Sequence, residues 1–134
     1  MGLTYLDSSV LIDATQVRDR RGAATRDLIE NSAASTQLVT SGLVDLECMV
    51  RPLRSRNRAA IEAVSSALSR FRHLEISPRA FELAAHIRAA HGLKTPDALH
   101  AATASLGGCD KLWTGDEKLL RALPEFAIDP LAGP

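Results

Sequence analysis

The sequence predicts an α/β domain, a three-layer sandwich with a short, mainly parallel sheet flanked by helices. Three observations predict it. Short β-type runs alternate with longer helical patterns from one end of the chain to the other. The first run, Leu3-Thr4-Tyr5-Leu6, reads as a buried strand, the kind a sheet covered on both faces uses. The chain has 134 residues, 46% hydrophobic and 24% charged, which suits one globular domain with its own core.

The elements follow in order. Leu3–Leu6 is the first strand, and Ser8 or Ser9 opens a short helix. Ala23–Asn31 is helical, with Leu28 and Ile29 facing inward. Gln37–Val39 is a short strand. Ser41 then caps a helix whose apolar stripe is Leu43, Leu46 and Val50, and Pro52 ends or bends it. Asn57–Phe71 places Ile61, Val64, Leu68 and Phe71 on one stripe. His73–Ile76 is a strand candidate. Ser77-Pro78 is a helix start, and that helix stops at Gly92. Thr95-Pro96 repeats the signal for a helix through Ser105, which ends at Gly107-Gly108. Lys111–Trp113 is a strand, and Gly115-Asp116 opens a helix through Leu123. Phe126–Ile128 is an edge-strand candidate. The domain is expected over residues 1–129, with a loose tail over 130–134.

Several function classes drop out. No apolar stretch approaches the roughly 18 residues that span a membrane. The start carries no basic region followed by an apolar segment, so a cytoplasmic protein is expected. Cys48 and Cys109 are too few for a disulfide framework and lack zinc-finger spacing.

Four acids stand out: Asp7, Glu47, Asp97 and Asp116. Asp7 ends the first strand, where open α/β sheets bind ligands. Asp97 lies in the first turn of a helix, and Asp116 follows the Lys111–Trp113 strand. Glu47 sits at the edge of the Leu43/Leu46/Val50 stripe, with Asp45 nearly opposite. Each aspartate also has a simple role at a helix start, as a cap or beside the dipole. Gathered in one place, the four would repel one another unless a cation held them together. Net charge is zero, so setting these acids aside leaves 16 basic against 12 acidic residues. Four arginines fall within Arg51–Arg58. An acidic pocket ringed by arginine suits a phosphate polymer.

Taken jointly, the segments resemble the PIN-domain nucleases, most of all the small bacterial toxins of the VapC type. They are Tyr5-Leu6-Asp7-Ser8-Ser9, Glu47 with Met49–Arg54, Thr95-Pro96-Asp97-Ala98-Leu99-His100, and Thr114-Gly115-Asp116. The resemblance covers essentially the whole chain. It implies an endoribonuclease in which Asp7, Glu47, Asp97 and Asp116 form the catalytic set. Asp7 and Asp97 would be the primary ligands of Mg²⁺ or Mn²⁺. Ser8 and Thr114 would line the site. Arg51, Arg54 and Arg56 could position an RNA backbone. The products would carry a 5′-phosphate and a 3′-hydroxyl. The resemblance also implies a homodimer silenced by a small antitoxin protein.

Two alternatives stay open: an RNA-processing PIN nuclease without an antitoxin, and a protein-binding module without catalysis. An aspartate-nucleophile phosphatase is disfavoured, because it needs a second Asp where Ser9 stands. His100 is expected to be a packing or hydrogen-bonding residue three positions after Asp97.

Overall fold

The computed structural model describes residues 2–132. Five strands form one sheet, with every pairing parallel. They are β1 (Gly2–Leu6), β2 (Thr36–Ser41), β3 (Arg72–Leu74), β4 (Lys111–Trp113) and β5 (Ala127–Ile128). The spatial order is β3-β2-β1-β4-β5, so β1 is central. The chain winds outward from β1 to β3, then crosses over and resumes with β4 on the other side. The switch therefore falls between β1 and β4. At such a point the connections diverge and leave a crevice beyond the carboxyl ends of the strands.

Seven helices connect the strands: α1 (Ser8–Gln16), α2 (Arg20–Ser32), α3 (Gly42–Ser55), α4 (Arg58–Ser69), α5 (Pro78–His91), α6 (Thr95–Leu106) and α7 (Glu117–Ala122). Right-handed crossovers place α1–α4 on one face, and α5 and α6 on the other. The contacts agree: α1 packs on α2, α3 and α4, while α5 packs on α6. The three-layer α/β expectation holds. Tyr5, Leu6, Val39 and Leu112 lie fully buried at the centre of the core. α6 is buried almost throughout from Ala98 to Ala104, because small alanines let it sit close to the sheet. Among the described residues no helix is long and apolar enough to cross a membrane.

Local expectations were met unevenly. Gly92 stops α5 in the left-handed conformation, at φ 68°. α2 begins earlier than Ala23, because the Asp19 side chain caps it by accepting from Arg21 N and Gly22 N. Thr95 is the first residue of α6, and Lys94 is its cap. The apolar stripe expected on α3 is wrong. Its buried residues are Val44, Cys48 and Pro52, whereas Leu46 and Val50 are 62% and 42% exposed. α3 is apolar around most of its circumference, so periodicity alone could not choose its inner face. Pro52 lies inside α3, and the helix ends only at Arg56, which adopts φ 54°. Ser41 occupies the cap position of α3 but makes no side-chain cap bond. The expected tail begins with a turn held by Leu131 N donating to Asp129 Oδ1, while Gly133 and Pro134 lie outside the described residues.

The burial pattern makes a stability prediction. Leu112→Ala should cost about 2–5 kcal/mol in urea unfolding, the range for emptying a packed site. Leu53→Ala on the exposed face of α3 should change stability by less than about 0.5 kcal/mol. Equal effects from the two would contradict this core.

Candidate active site

Asp7 is the residue after β1, and its backbone N–H donates to Trp113 O of β4. It sits at the topological switch and is only 3% exposed. One oxygen, Oδ1, takes three bonds: from Ser9 N at 3.0 Å, Ser9 Oγ at 2.6 Å and Val10 N at 3.3 Å. Asp7 is therefore a helix cap, but the cap uses one oxygen. Burial pushes its carboxyl above the usual range, opposed by the hydroxyls of Ser9 and Thr114. The Thr114 contact falls short of full hydrogen-bond geometry.

Asp116 repeats the arrangement across the crevice. Its Oδ1 accepts from Lys118 N at 2.8 Å and Leu119 N at 3.2 Å, capping α7. Thr114, fully buried at the end of β4, accepts from Asp116 N. Ser9 joins the two loops by donating to Asp7 Oδ1 and accepting from Gly115 N at 2.9 Å. Ser8, expected to line the site, makes no side-chain hydrogen bond among the described residues. Ser9 carries that connection instead.

Asp97 lies in the first turn of α6, half-buried, with no hydrogen bond to its carboxylate among the described residues. Burial raises its pKa first, and the charges of Asp116, Asp7 and Glu47 raise it further. Asp97 thus senses all three of its supposed partners. Glu47 follows β2 on α3 and faces the buried edge of that helix. Its Oε1 accepts from His100 Nε2 at 2.6 Å. His100 is 1% exposed, and its Nδ1 meets the Tyr5 hydroxyl at 2.8 Å. The Tyr5 hydroxyl meets Ser41 Oγ at 2.7 Å, which explains why Ser41 does not cap α3. Sequence reasoning missed this buried chain. Its one signal was a histidine one turn after Asp97.

The remaining acids stand apart. Asp13 pairs with Arg21 at 2.8 Å, Asp45 with His73 at 2.8 Å, and Asp110 accepts from Leu3 N near the opposite end of β1. Arg51, Arg54 and Arg56 are all exposed at the far end of α3. Arg51 and Arg54 follow Glu47 by four and seven residues, which is one helix stripe. Arg56 turns off that stripe at its left-handed backbone.

The donor set suits a hard divalent cation. It offers only carboxylate and hydroxyl oxygens, and Mg²⁺ is usually held by one or two carboxylates plus waters. Asp7 and Asp97 each keep oxygen atoms outside the cap bonds. Among the described residues, no group of three or more His, Cys, Asp or Glu side chains is placed to hold a metal ion. A cavity of about 520 Å³ lies elsewhere. It runs between α1, α2 and α4 against Leu11, Ile29, Leu38 and Phe71, and none of the four acids lines it.

The PIN-domain family profile matches residues 4–124. The chain belongs to the PIN-domain family. No curated protein matches it significantly in sequence. Solved structures resemble it in fold. A toxin–antitoxin complex from Klebsiella pneumoniae shares 27% identity over 95% of this chain and 97% of that one, with a TM-score of 0.77. VapBC2 from Rickettsia felis, bound to a DNA fragment from its promoter, shares 16% identity over 94% and 97%, at 0.78. VapC20 from Mycobacterium tuberculosis, a Sarcin-Ricin loop cleaving toxin, shares 18% over 89% and 94%, at 0.70. The last two establish likeness of fold.

The buried Asp7 of this PIN domain makes a pH prediction. Its proton is held more tightly in the folded chain than in the unfolded one. Asp7 therefore favours folding most at low pH, and that contribution is lost as pH rises from the ordinary carboxylate range through the raised folded value. Asn keeps the cap acceptor without the charge. Asp7→Asn should raise Tm at pH 7, and the gain should shrink toward pH 4. A lower Tm for the variant at pH 7 would contradict this.

Proposed function

We propose that this PIN domain is a Mg²⁺- or Mn²⁺-dependent endoribonuclease and the toxin of a toxin–antitoxin pair. One observation carries the reading most: a half-buried Asp97 without hydrogen bonds, loaded by the charges of Asp116, Asp7 and Glu47. Uncompensated carboxylates in a crevice cost stability. They persist where a bound cation or a developing charge uses them.

Asp7 and Asp97 would hold the ion. Once bound, it polarises the phosphodiester, acidifies a coordinated water and stabilises the leaving oxygen. The caps fix Asp7 and Asp116 rigidly, so their free oxygens point with little rotational freedom. Glu47, held by His100, and Asp116 would orient the attacking water. Arg51, Arg54 and Arg56 would take the RNA phosphates, with Arg51 and Arg54 on the stripe leading away from Glu47. Hydrolysis would leave a 5′-phosphate and a 3′-hydroxyl.

The similarity to a toxin–antitoxin complex at 27% identity, over nearly the full length of both chains, supports a small antitoxin partner. The exposed Leu46, Val50 and Leu53 form one apolar stripe on α3, which suits a protein contact such as a homodimer or that partner. A cytoplasmic site of action follows from an RNA substrate.

Purified protein with Mn²⁺ should cleave RNA, and EDTA should stop it. Asp7→Asn and Asp97→Asn should each lower kcat by at least about 10²-fold, the scale of a lost acid–base or charge-stabilising group. Mn²⁺ should raise the Tm of wild type but not of these variants. Cleavage by wild type and Asp7→Asn alike would overturn the assignment. Absence of cleavage across varied RNAs, with an apolar partner captured on α3, would favour the protein-binding alternative. Arg51→Ala and Arg54→Ala should weaken RNA binding evenly across sequences and reduce its salt slope by about one each. Unchanged slopes would remove these arginines from the RNA path.

A further inference from the structure

We propose that His100 is the positioning residue of this site: its Nε2–H clamps the Glu47 carboxylate, and Tyr5 with Ser41 holds the ring in place through Nδ1. The proposal rests on the nuclease reading for its catalytic consequence, but not for its structural content.

The four acids are not immobilised in the same way. Asp7 and Asp116 are each held by backbone N–H groups of the helix they cap. Glu47 has no such anchor. It lies mid-helix, on a longer side chain, and 28% of that side chain is exposed. Its one hydrogen bond among the described residues is the 2.6 Å contact from His100. His100 comes from α6, in the helix layer opposite α3, so the bond ties the two layers together beyond the sheet.

The donors along this chain can be assigned by counting protons. An ionised carboxylate only accepts, so Nε2 carries a proton toward Glu47. Neutral imidazole then offers Nδ1 as an acceptor, and the Tyr5 hydroxyl is its partner at 2.8 Å. A phenol keeps its proton at neutral pH, so this hydroxyl has one to donate. Its oxygen in turn accepts from Ser41 Oγ at 2.7 Å. Every donor then points one way, from Ser41 through Tyr5 and His100 to Glu47. The fold sets this up through register. Tyr5 pairs with Val39, so strand alternation aims Tyr5 and Ser41 at the same face.

Removing the Tyr5 hydroxyl should leave Nδ1 a buried acceptor without its donor and free the ring to shift, which loosens its hold on the Glu47 carboxylate. Water cannot easily replace the lost partner, because Tyr5 and Ser41 are fully buried and His100 nearly so. Tyr5 thus acts on Glu47 from two hydrogen bonds away. Hydrogen-bond partners that orient histidines and carboxylates from behind typically account for about 10–100-fold in activity.

The test uses Tyr5→Phe, which loses one oxygen, and long-range ¹H–¹⁵N spectra of the His100 ring at pH 7.5. Wild type should show the Nε2–H tautomer with Nδ1 hydrogen-bonded, and Tyr5→Phe should keep Nε2–H while its Nδ1 resonance moves toward that of an unbonded ring nitrogen. With Mn²⁺ and an RNA oligonucleotide, Tyr5→Phe should lose about 10-fold in kcat with KM little changed. His100→Gln, whose amide can still donate to Glu47, should retain more kcat than His100→Ala. An Nδ1–H tautomer in wild type overturns the proposal, as does a Tyr5→Phe protein with the wild-type Nδ1 resonance and kcat. If Tyr5→Phe fails to fold, the wild-type tautomer and the Gln-against-Ala comparison decide. If wild type is inert toward RNA, the nuclease reading fails, and the ring-nitrogen spectra of wild type and Tyr5→Phe alone decide the clamp.

Discussion

A carboxylate buried at the end of the central strand sets the terms for the rest of this structure. Asp7 is almost inaccessible, and that burial disfavours its charged form. The fold lowers the cost by giving one oxygen three donors from the first turn of α1. The other oxygen is left to the crevice. Helix capping and ligand binding are therefore not rival roles for Asp7. The cap supplies the rigidity, and its one-sidedness supplies the free atom.

The same economy appears at Asp116, whose Oδ1 caps α7, and in Ser9, which connects the two caps. These links cross the switch between β1 and β4. The two loops that bound the crevice thus hold each other in place without metal. Asp97 and Glu47 approach from helices and need other restraints. Asp97 is set by the first turn of α6, which is buried from Ala98 to Ala104. Glu47 is set by a histidine from that same helix. One buried element thereby positions two of the four acids, and the alanines of α6 that allow close packing also serve the site.

The surface around the crevice divides by chemistry. The stripe from Glu47 through Arg51 to Arg54 is charged and exposed. Leu46, Val50 and Leu53 form an apolar stripe beside it on the same helix. α3 therefore buries Val44 and Cys48, lends Glu47 to the acids and presents two different faces outward. In isolation such a helix looks ambiguous, because its solvent side is as apolar as its core side.

The sequence by itself determined the alternation of strands and helices, the switch-point acid and the capping signals. These depend on neighbours within a few residues, through strand period, proline and glycine punctuation, and side chains beside free N–H groups. The four acids could be read as a set because their order and local settings resemble a family, not because anything local joins them. Tertiary structure alone decided the inner face of α3, the diversion of Ser41 from cap to Tyr5, and the bond between His100 and Glu47. Those outcomes depend on contacts 36, 95 and 53 residues apart in the chain. No local pattern encodes which buried hydroxyl meets which ring nitrogen. Sheet register and the packing of α6 across β1 choose the pair, because a buried polar group left without a partner costs more than any local preference for a cap.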